Sequence, residues 1–453
     1  MGKWGPRLHA SSWGTAVTSE VMLLNTQGGA LAADSALTAI EYHENGTASI
    51  RYQTGTEKIF ILDQKLPVAS MIFDVAEFYR YPWATVFDAF VARHPSSGNS
   101  VPKVAAALVT FMSRWTSGED AELRAALPID DVQERLSFAI YIAALVQRYW
   151  QCAELAGAVD DRRPTQVELA RALDMLRFET QYSGDYFQNL FMPFGEQPQR
   201  RPVVAQSNPR LVALLETYLD RLLSSMLRAM FGEGTVPPEI KSQLTDLTIA
   251  SCVTDWIPPG VPKTGIVFAG YGANDVRPMF LELKIASAFG GIVKHQLVSS
   301  GSPGPNEPAI IRSFAQADLI DALLRGAQPG YKYVMFQLMR QGIGALMNAV
   351  GAEIAKKDSG LARNVLQTFD QAPLAIARAI IMAGDDIARH AVEMRVADVV
   401  GSAGPQLLAE YAGKLVRLSV IEHELVGSQT VGEPIMAVHM KRGYIERVKT
   451  RIG

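Results

Sequence analysis

The stretch TSEVMLLNTQGGALAADS, Thr18 to Ser35, decides how this chain is read. It holds two short apolar runs, VMLLN (Val21–Asn25) and GALAAD (Gly29–Asp34), punctuated by Asn, Gly and Asp. Runs of that length between such residues are strands. ASIRYQ (Ala48–Gln53), KIFIL (Lys58–Leu62) and PVASMIF (Pro67–Phe73) follow in the same style. Glu44-Asn45-Gly46 is a hairpin signal, because Asn-Gly accepts the positive φ of a tight turn. From Thr18 to about Phe78 the sequence therefore predicts a sheet entering a core.

Working outward, the period changes to about 3.6 after Asp74, with Val75, Phe78, Trp83, Val86, Phe87 and Phe90 on one helical face. Helical patterns continue to about residue 250, most clearly over Leu136–Tyr149, Val167–Phe178 and Leu211–Phe231. Pro95–Asn99, Gly195–Pro209 and Gly232–Pro238 are loops rich in Gly, Pro, Ser and Gln. Residues 96–255 are thus expected to form a helical insertion. Strands return at Gly265–Gly272 and Met279–Ser287, a hairpin joined by the polar turn Ala273–Pro278. Helix is expected at Ala315–Leu324, Lys332–Val350, Leu361–Ile381, Asp385–Val400 and Leu407–Leu418. PIMAVHM (Pro434–Met440) and YIERV (Tyr444–Val448) flank Lys441-Arg442-Gly443 as a last hairpin. Strands, helices, strands, helices, strands is an α+β order.

Composition narrows the function classes. With 48% hydrophobic and 20% charged residues over 453, the chain can bury a large core, in two to three domain-sized units. Lys and Arg number 43 against 46 Asp and Glu, so no cationic excess is available to neutralise a phosphate backbone, and nucleic acid is not expected as a partner. Cys152 and Cys252 are far apart and lack companions at metal-ligand spacing, which fits buried packing in a reducing compartment. No apolar run reaches secretory or membrane-spanning length, so the expectation is a cytoplasmic protein without a membrane partner.

The quoted stretch resembles the opening of a proteasome β-type subunit. A Thr begins a strand (Thr18), a Gly follows ten residues on (Gly28), a hairpin ends in Ala32-Ala33-Asp34, and a Lys precedes an apolar strand (Lys58-Ile59-Phe60). Further along, FAGYGANDVRPMFLEL resembles the family's central hairpin, and LLAEYAGKLVRL with TVGEPIMAV its last helix and the Gly-bearing loop before a strand. MIF-DVAEF, after the second pair of strands, is similar to an uncharacterised bacterial proteasome-like branch. The resemblance covers about half the chain. It implies a four-layer αββα sandwich of the N-terminal-nucleophile (Ntn) hydrolases, with 18–95 and 256–453 as its halves. Residues 96–255 and about 327–400 would then be helical elaborations, and residues 1–17 a propeptide or a region before the true start.

The same resemblance implies a threonine-type amidohydrolase, most simply a peptidase, acting on a peptide or small amide without cofactor or metal. Thr18 would be the nucleophile. Once it is the first residue, its α-amine, ordinarily near pKa ~7.7–8.0, is available as general base. Lys58 would lower that amine's pKa and stabilise negative charge, held by Asp34 through a charge-assisted bond. The amide of Phe73 or Asp74, in a turn after the MIF strand, would donate to the oxyanion. Relatives assemble into rings or stacks, so a homo-oligomer is expected; an unfoldase partner is left open.

The sequence departs from the family at several points. Seventeen residues precede Thr18, and Val17 stands where proteasomal self-cleavage favours Gly. Either autolysis removes this segment or translation starts at Val17. Phe73-Asp74 replaces Gly-Gly at the oxyanion turn. The family's supporting Asp and Ser fall near Ser428 and Val431; Thr430 could replace that Ser, and Ser313 could stand at the mid-chain Ser.

Plainer readings stand beside these. Thr18 alone is an ordinary strand Thr, Asp34 a turn cap, and Lys58 a solvated strand-end charge. Asp386, His390 and Glu393 share a helical face, as a charge-rich helix produces by chance, and are not taken as a metal site. No nucleophile elbow, Walker loop or dinucleotide fingerprint occurs. The rival functions are a non-catalytic proteasome-like scaffold and a small-molecule acylase of the same fold.

Overall fold

The computed structural model describes residues 15–16, 19–42, 48–53, 55–63, 66–94, 99–156, 164–183, 199–315, 318–325, 329–368, 372–388, 394–425 and 432–449. The chain folds as mixed α and β structure around two antiparallel sheets.

The first sheet holds β2 (Ser19–Asn25), β3 (Gly28–Ala33), β13 (Ala309–Ala315), β14 (Met436–Lys441) and β15 (Tyr444–Lys449), in the order β13-β2-β3-β14-β15. Its central strands come from the quoted stretch, and every residue of β2 and β3 is buried. That explains their continuous apolar sequence, since a strand covered on both faces gains from an apolar residue at every position. The second sheet runs β1 (Thr15–Ala16), β7 (Val68–Val75), β10 (Lys263–Gly270), β11 (Met279–Phe289) and β12 (Ile292–Gly301), with β6 (Ile59–Asp63) also on β7. The expected hairpins at 265–287 and at the C-terminus form as β10–β11 and β14–β15. β4 (Leu37–Tyr42) and β5 (Ala48–Gln53) pair around the Asn45-Gly46 signal, which itself lies outside the described residues.

Alternation along each strand sorts the side chains into separate cores. Met22, Leu24, Leu31, Ile59, Met71, Phe73, Val267 and Phe280 meet between the two sheets. Val21, Leu23, Ala30 and Ala32 point the other way, onto α14 (Pro405–Leu425) through Leu408, Ala409, Ala412 and Val416. The small alanines on both sides let helix and sheet approach closely. Each fully buried Val, Leu or Met contributes roughly 1.5–3 kcal/mol. Asn25 fastens this layer: its Nδ2 donates to the carbonyls of Val400 and Ala403, both at 2.7 Å, at the end of α13 (Met394–Ser402), while its Oδ1 accepts from the amides of Gln27 and Gly28.

The outer face of the second sheet packs on α1 (Trp83–Arg93) and α2 (Val101–Ser117) through Ile72, Phe268, Trp83, Phe87 and Leu108. A further core joins Phe289 and Ile292 to α4 (Asp131–Leu155), α5 (Gln166–Gln181), α7 (Asp220–Phe231) and α8 (Pro238–Cys252). Capping boxes at Asp130/Gln133 and Thr165/Glu168 start α4 and α5. α3 (Ala121–Ala126) and α6 (Pro209–Leu214) complete this region, and α6 continues into α7 through a π-helical turn at Leu215–Leu219. α9 (Asp318–Arg325), α10 (Pro329–Ala355), α11 (Ser359–Thr368) and α12 (Ala372–Ala388) precede α13.

Several expectations are corrected. Val75 and Phe78 are not helical: Val75 ends β7 and Phe78 lies in β8 (Glu77–Phe78), paired with β9 (Tyr81–Pro82). The positive φ at Tyr79 (51°) and Arg80 (65°) turns the chain there, so helix begins only at Trp83. Leu361–Ile381 is helical in α11 and in α12, and Asp385–Val400 in α12 and α13; residues 369–371 and 389–393, between these elements, lie outside the described residues. Ala315 is the last residue of β13, with φ 57°, and α9 starts at Asp318. Cys152 and Cys252 are both buried, and no disulfide joins them. Among the described residues no helix is long and apolar enough to cross a membrane.

Candidate active site

The head of β2 and the end of β3 meet at Ser19 and Asp34. The Asp34 amide donates to the Ser19 carbonyl at 3.2 Å, and the Ser19 amide donates back to Asp34 Oδ1 at 3.0 Å. That same oxygen accepts from Lys58 Nζ at 2.7 Å. Asp34 Oδ2 accepts from the amides of Ala36 (3.0 Å) and Gly432 (3.1 Å). One fully buried carboxylate therefore receives three amides and an ammonium. Lys58, immediately before β6, is 2% exposed, and its carbonyl accepts from the Ile72 amide at 3.0 Å, which fixes it against β7. The Ser35 amide donates to the Gly432 carbonyl at 3.2 Å, so the loop before β14 is tied to the same place.

A third charged group completes the cluster. Glu20, fully buried in β2, has Oε1 at 3.7 Å from Lys58 Nζ. Sequence reasoning passed over Glu20; the signal for it was the one carboxylate in SEVMLLN, directly ahead of the apolar run VMLL. The amides of Ser19 and Gly432 were also missed, since no side-chain pattern marks a backbone donor.

Of the other anticipated residues, Thr18 and Thr430 lie outside the described residues, as do His390 and Glu393. Ser313 stands in β13 opposite Val21, on the helix-facing side of the sheet shared by Val21, Ala309 and Ala32. It is on the opposite face from Met22 and Leu24, whose side Glu20 shares. Phe73 and Asp74 do not form a turn: β7 runs through both to Val75, and the departure from extended backbone is the positive φ of Asp74, 68°. Because the Ile72 amide faces β6, alternation turns the Phe73 amide toward β10 and the Asp74 amide back to the edge where Ala16 pairs. The Phe73 ring enters the space between the sheets, 5.2 Å from Phe314, whose backbone pairs with Glu20. Gly265 makes that possible, since a Cβ there would lie 1.9 Å from the Phe73 ring.

Asp74 has its carboxyl pushed above the usual range by burial, an effect opposed by the ammonium groups of Lys284 and Lys263. Lys263 is lowered, first by burial and then by Lys284. Among the described residues no group of three or more His, Cys, Asp or Glu side chains is placed to hold a metal ion.

An ammonium buried between two carboxylates adds little to stability compared with apolar residues of the same volume, because desolvation offsets the attraction. Buried charge of this kind marks a candidate functional site. No model of a known protein family matches the sequence, and no curated protein matches it. Among solved structures, a mutant form of Anbu from Hyphomicrobium sp. strain MC1 is similar over 96% of this chain and 88% of that one, at 10% identity and a TM-score of 0.25.

Proposed function

We propose that the chain is a threonine-type N-terminal-nucleophile amidohydrolase, built on a four-layer αββα sandwich like that of proteasome-type proteins. The observation that carries this reading is the shared oxygen Asp34 Oδ1, which takes both the Lys58 ammonium and the amide of Ser19, the residue bonded directly to Thr18. Asp34 thus couples the backbone following the nucleophile to the cation that acts on it. In the reaction, Thr18 Oγ attacks the amide carbonyl while its proton passes to the α-amine. Collapse of the tetrahedral intermediate returns that proton to the leaving amine and forms an ester on Oγ. Water then hydrolyses the ester, releasing the acid and regenerating the hydroxyl. The Asp74 amide, at the β7 edge, is the better oriented of the two oxyanion donors. The substrate is a peptide or small amide. The exposed Val334, Leu338 and Leu346 of α10, with Ile376, Ile380 and Ile387 of α12, support assembly of several copies.

A β-lactone or epoxyketone probe tests this reading: the wild-type protein takes up one equivalent and Thr18→Ala none. Undiminished labelling of the variant excludes Thr18.

One observation favours the scaffold reading instead. Thr15 and Ala16 pair with Val75 and Asp74, so these two residues ahead of Thr18 form part of the edge of β7. In a non-catalytic protein that strand stays in place. In the hydrolase, cutting before Thr18 releases it and opens the Asp74 edge.

A further inference from the structure

We propose that Glu20 is a positioning residue of this site: with Asp34 it holds the Lys58 ammonium between two carboxylates at the head of β2, and Thr18 chemistry depends on that clamp. The inference rests on the hydrolase reading above and adds to it a residue that reading does not require.

The geometry is specific. Asp34 Oδ1 lies 2.7 Å from Lys58 Nζ and Glu20 Oε1 3.7 Å, and the exposures are 0% for both carboxylates and 2% for the lysine. The carboxylates come from neighbouring strands: Glu20 pairs with Ala33, the residue before Asp34. Lys58 approaches from the other sheet, so its ammonium bridges the sheets where β2 begins. A lysine carries a long flexible stem, and a single carboxylate leaves its head free to swing. Two carboxylates fix the head from two sides. Glu20 is the second residue after Thr18, so half of the clamp stands two residues along the chain from the proposed nucleophile.

The neighbouring charges leave this assignment specific. Opposite Glu20 across the first sheet stand Ala33 and Phe314, both apolar. Arg312 of β13 pairs with Met22 and lies over the Phe280 ring, 5.9 Å from its centroid. Glu57, next to Lys58, is engaged by Arg447. Asp74 of β7 interacts with Lys263 and Lys284. Glu433, after Gly432, is 3.8 Å from Arg417.

The test measures kcat and KM for the wild type, Glu20→Gln and Glu20→Asp, together with urea midpoints for Glu20→Gln, Lys58→Met and the pair. Glu20→Gln should lower kcat about tenfold or more with KM unchanged, and Glu20→Asp, which keeps the charge, should recover part of that loss. Glu20→Gln should also lower the midpoint of the wild type but leave that of Lys58→Met unchanged or raised. Equal loss of kcat in the two Glu20 variants together with additive midpoints overturns the proposal and leaves Glu20 a packing residue. Should Glu20→Gln fail to fold, Glu20→Asp decides alone: a lowered kcat with unchanged KM supports the clamp, and an unchanged kcat overturns it. A wild type without activity sinks the hydrolase reading, while the midpoints still report on the clamp.

Discussion

Removing the Asp34 carboxylate probes the site through stability rather than through activity. In Asp34→Ala the Lys58 ammonium, 2% exposed, keeps only Glu20 at 3.7 Å among the described residues, and the amides of Ser19, Ala36 and Gly432 lose their acceptor. Breaking a buried ion pair costs about 3–5 kcal/mol, most of it from the charge left behind. Water entering the vacated space restores part of the amide bonding, so the ammonium dominates and the loss should be about 4 kcal/mol. Lys58→Met leaves Asp34 with three amide donors but also takes the cation from buried Glu20, a cost of about 3–5 kcal/mol. In the double variant no ammonium is stranded, so its loss should fall short of the sum by about 2 kcal/mol or more. Urea unfolding followed by tryptophan fluorescence on the four proteins of the cycle gives this coupling directly. Additivity within about 0.5 kcal/mol would show that Asp34 and Lys58 do not share the buried bond argued here.

Two further outcomes follow from packing and charge elsewhere. Gly265→Ala places a Cβ 1.9 Å from the Phe73 ring and should cost about 1–3 kcal/mol, with Phe73→Leu added to it recovering more than half; equal midpoints for Gly265→Ala and wild type would contradict this packing. Lys294, wholly buried, donates to the carbonyls of Ser251 (2.9 Å), Cys252 (3.3 Å) and Thr254 at the end of α8, and burial pulls its ammonium down to about 8. Between that value and the ordinary ~10.4 the unfolded chain binds more protons, so stability should rise with pH across this window and be lost as pH falls toward 8. Lys294→Met should remove that rise, and urea midpoints at pH 8 and 10 that differ equally in both proteins would refute it.

How much of this was legible in the sequence depended on burial. β2, β3, β7 and β10 announce themselves because both faces are covered and nearly every position is apolar. β12 (IVKHQLVSSG) does not, because its second half is partly exposed and polar, and β13 is short and interrupted by Arg312 and Ser313. The helical reading of Val75 and Phe78 failed because aromatic residues recurring every three or four positions suit a strand end and a tight pair as well as a helix face. Asp34 and Lys58 are 24 residues apart and no local period joins them; only the resemblance did. Ser313 lies in β13, a strand the sequence did not announce, where one register position decides its face, and Gly432, 398 residues from Asp34, has no local signal at all.

The mass of the purified protein, with its first residue sequenced, tests the central claim most directly. A free Thr18, with Thr18→Ala retaining the upstream segment, is the predicted result. Wild-type protein that keeps Thr15 and Ala16 on the edge of β7 under every condition tried would contradict the hydrolase and leave the scaffold.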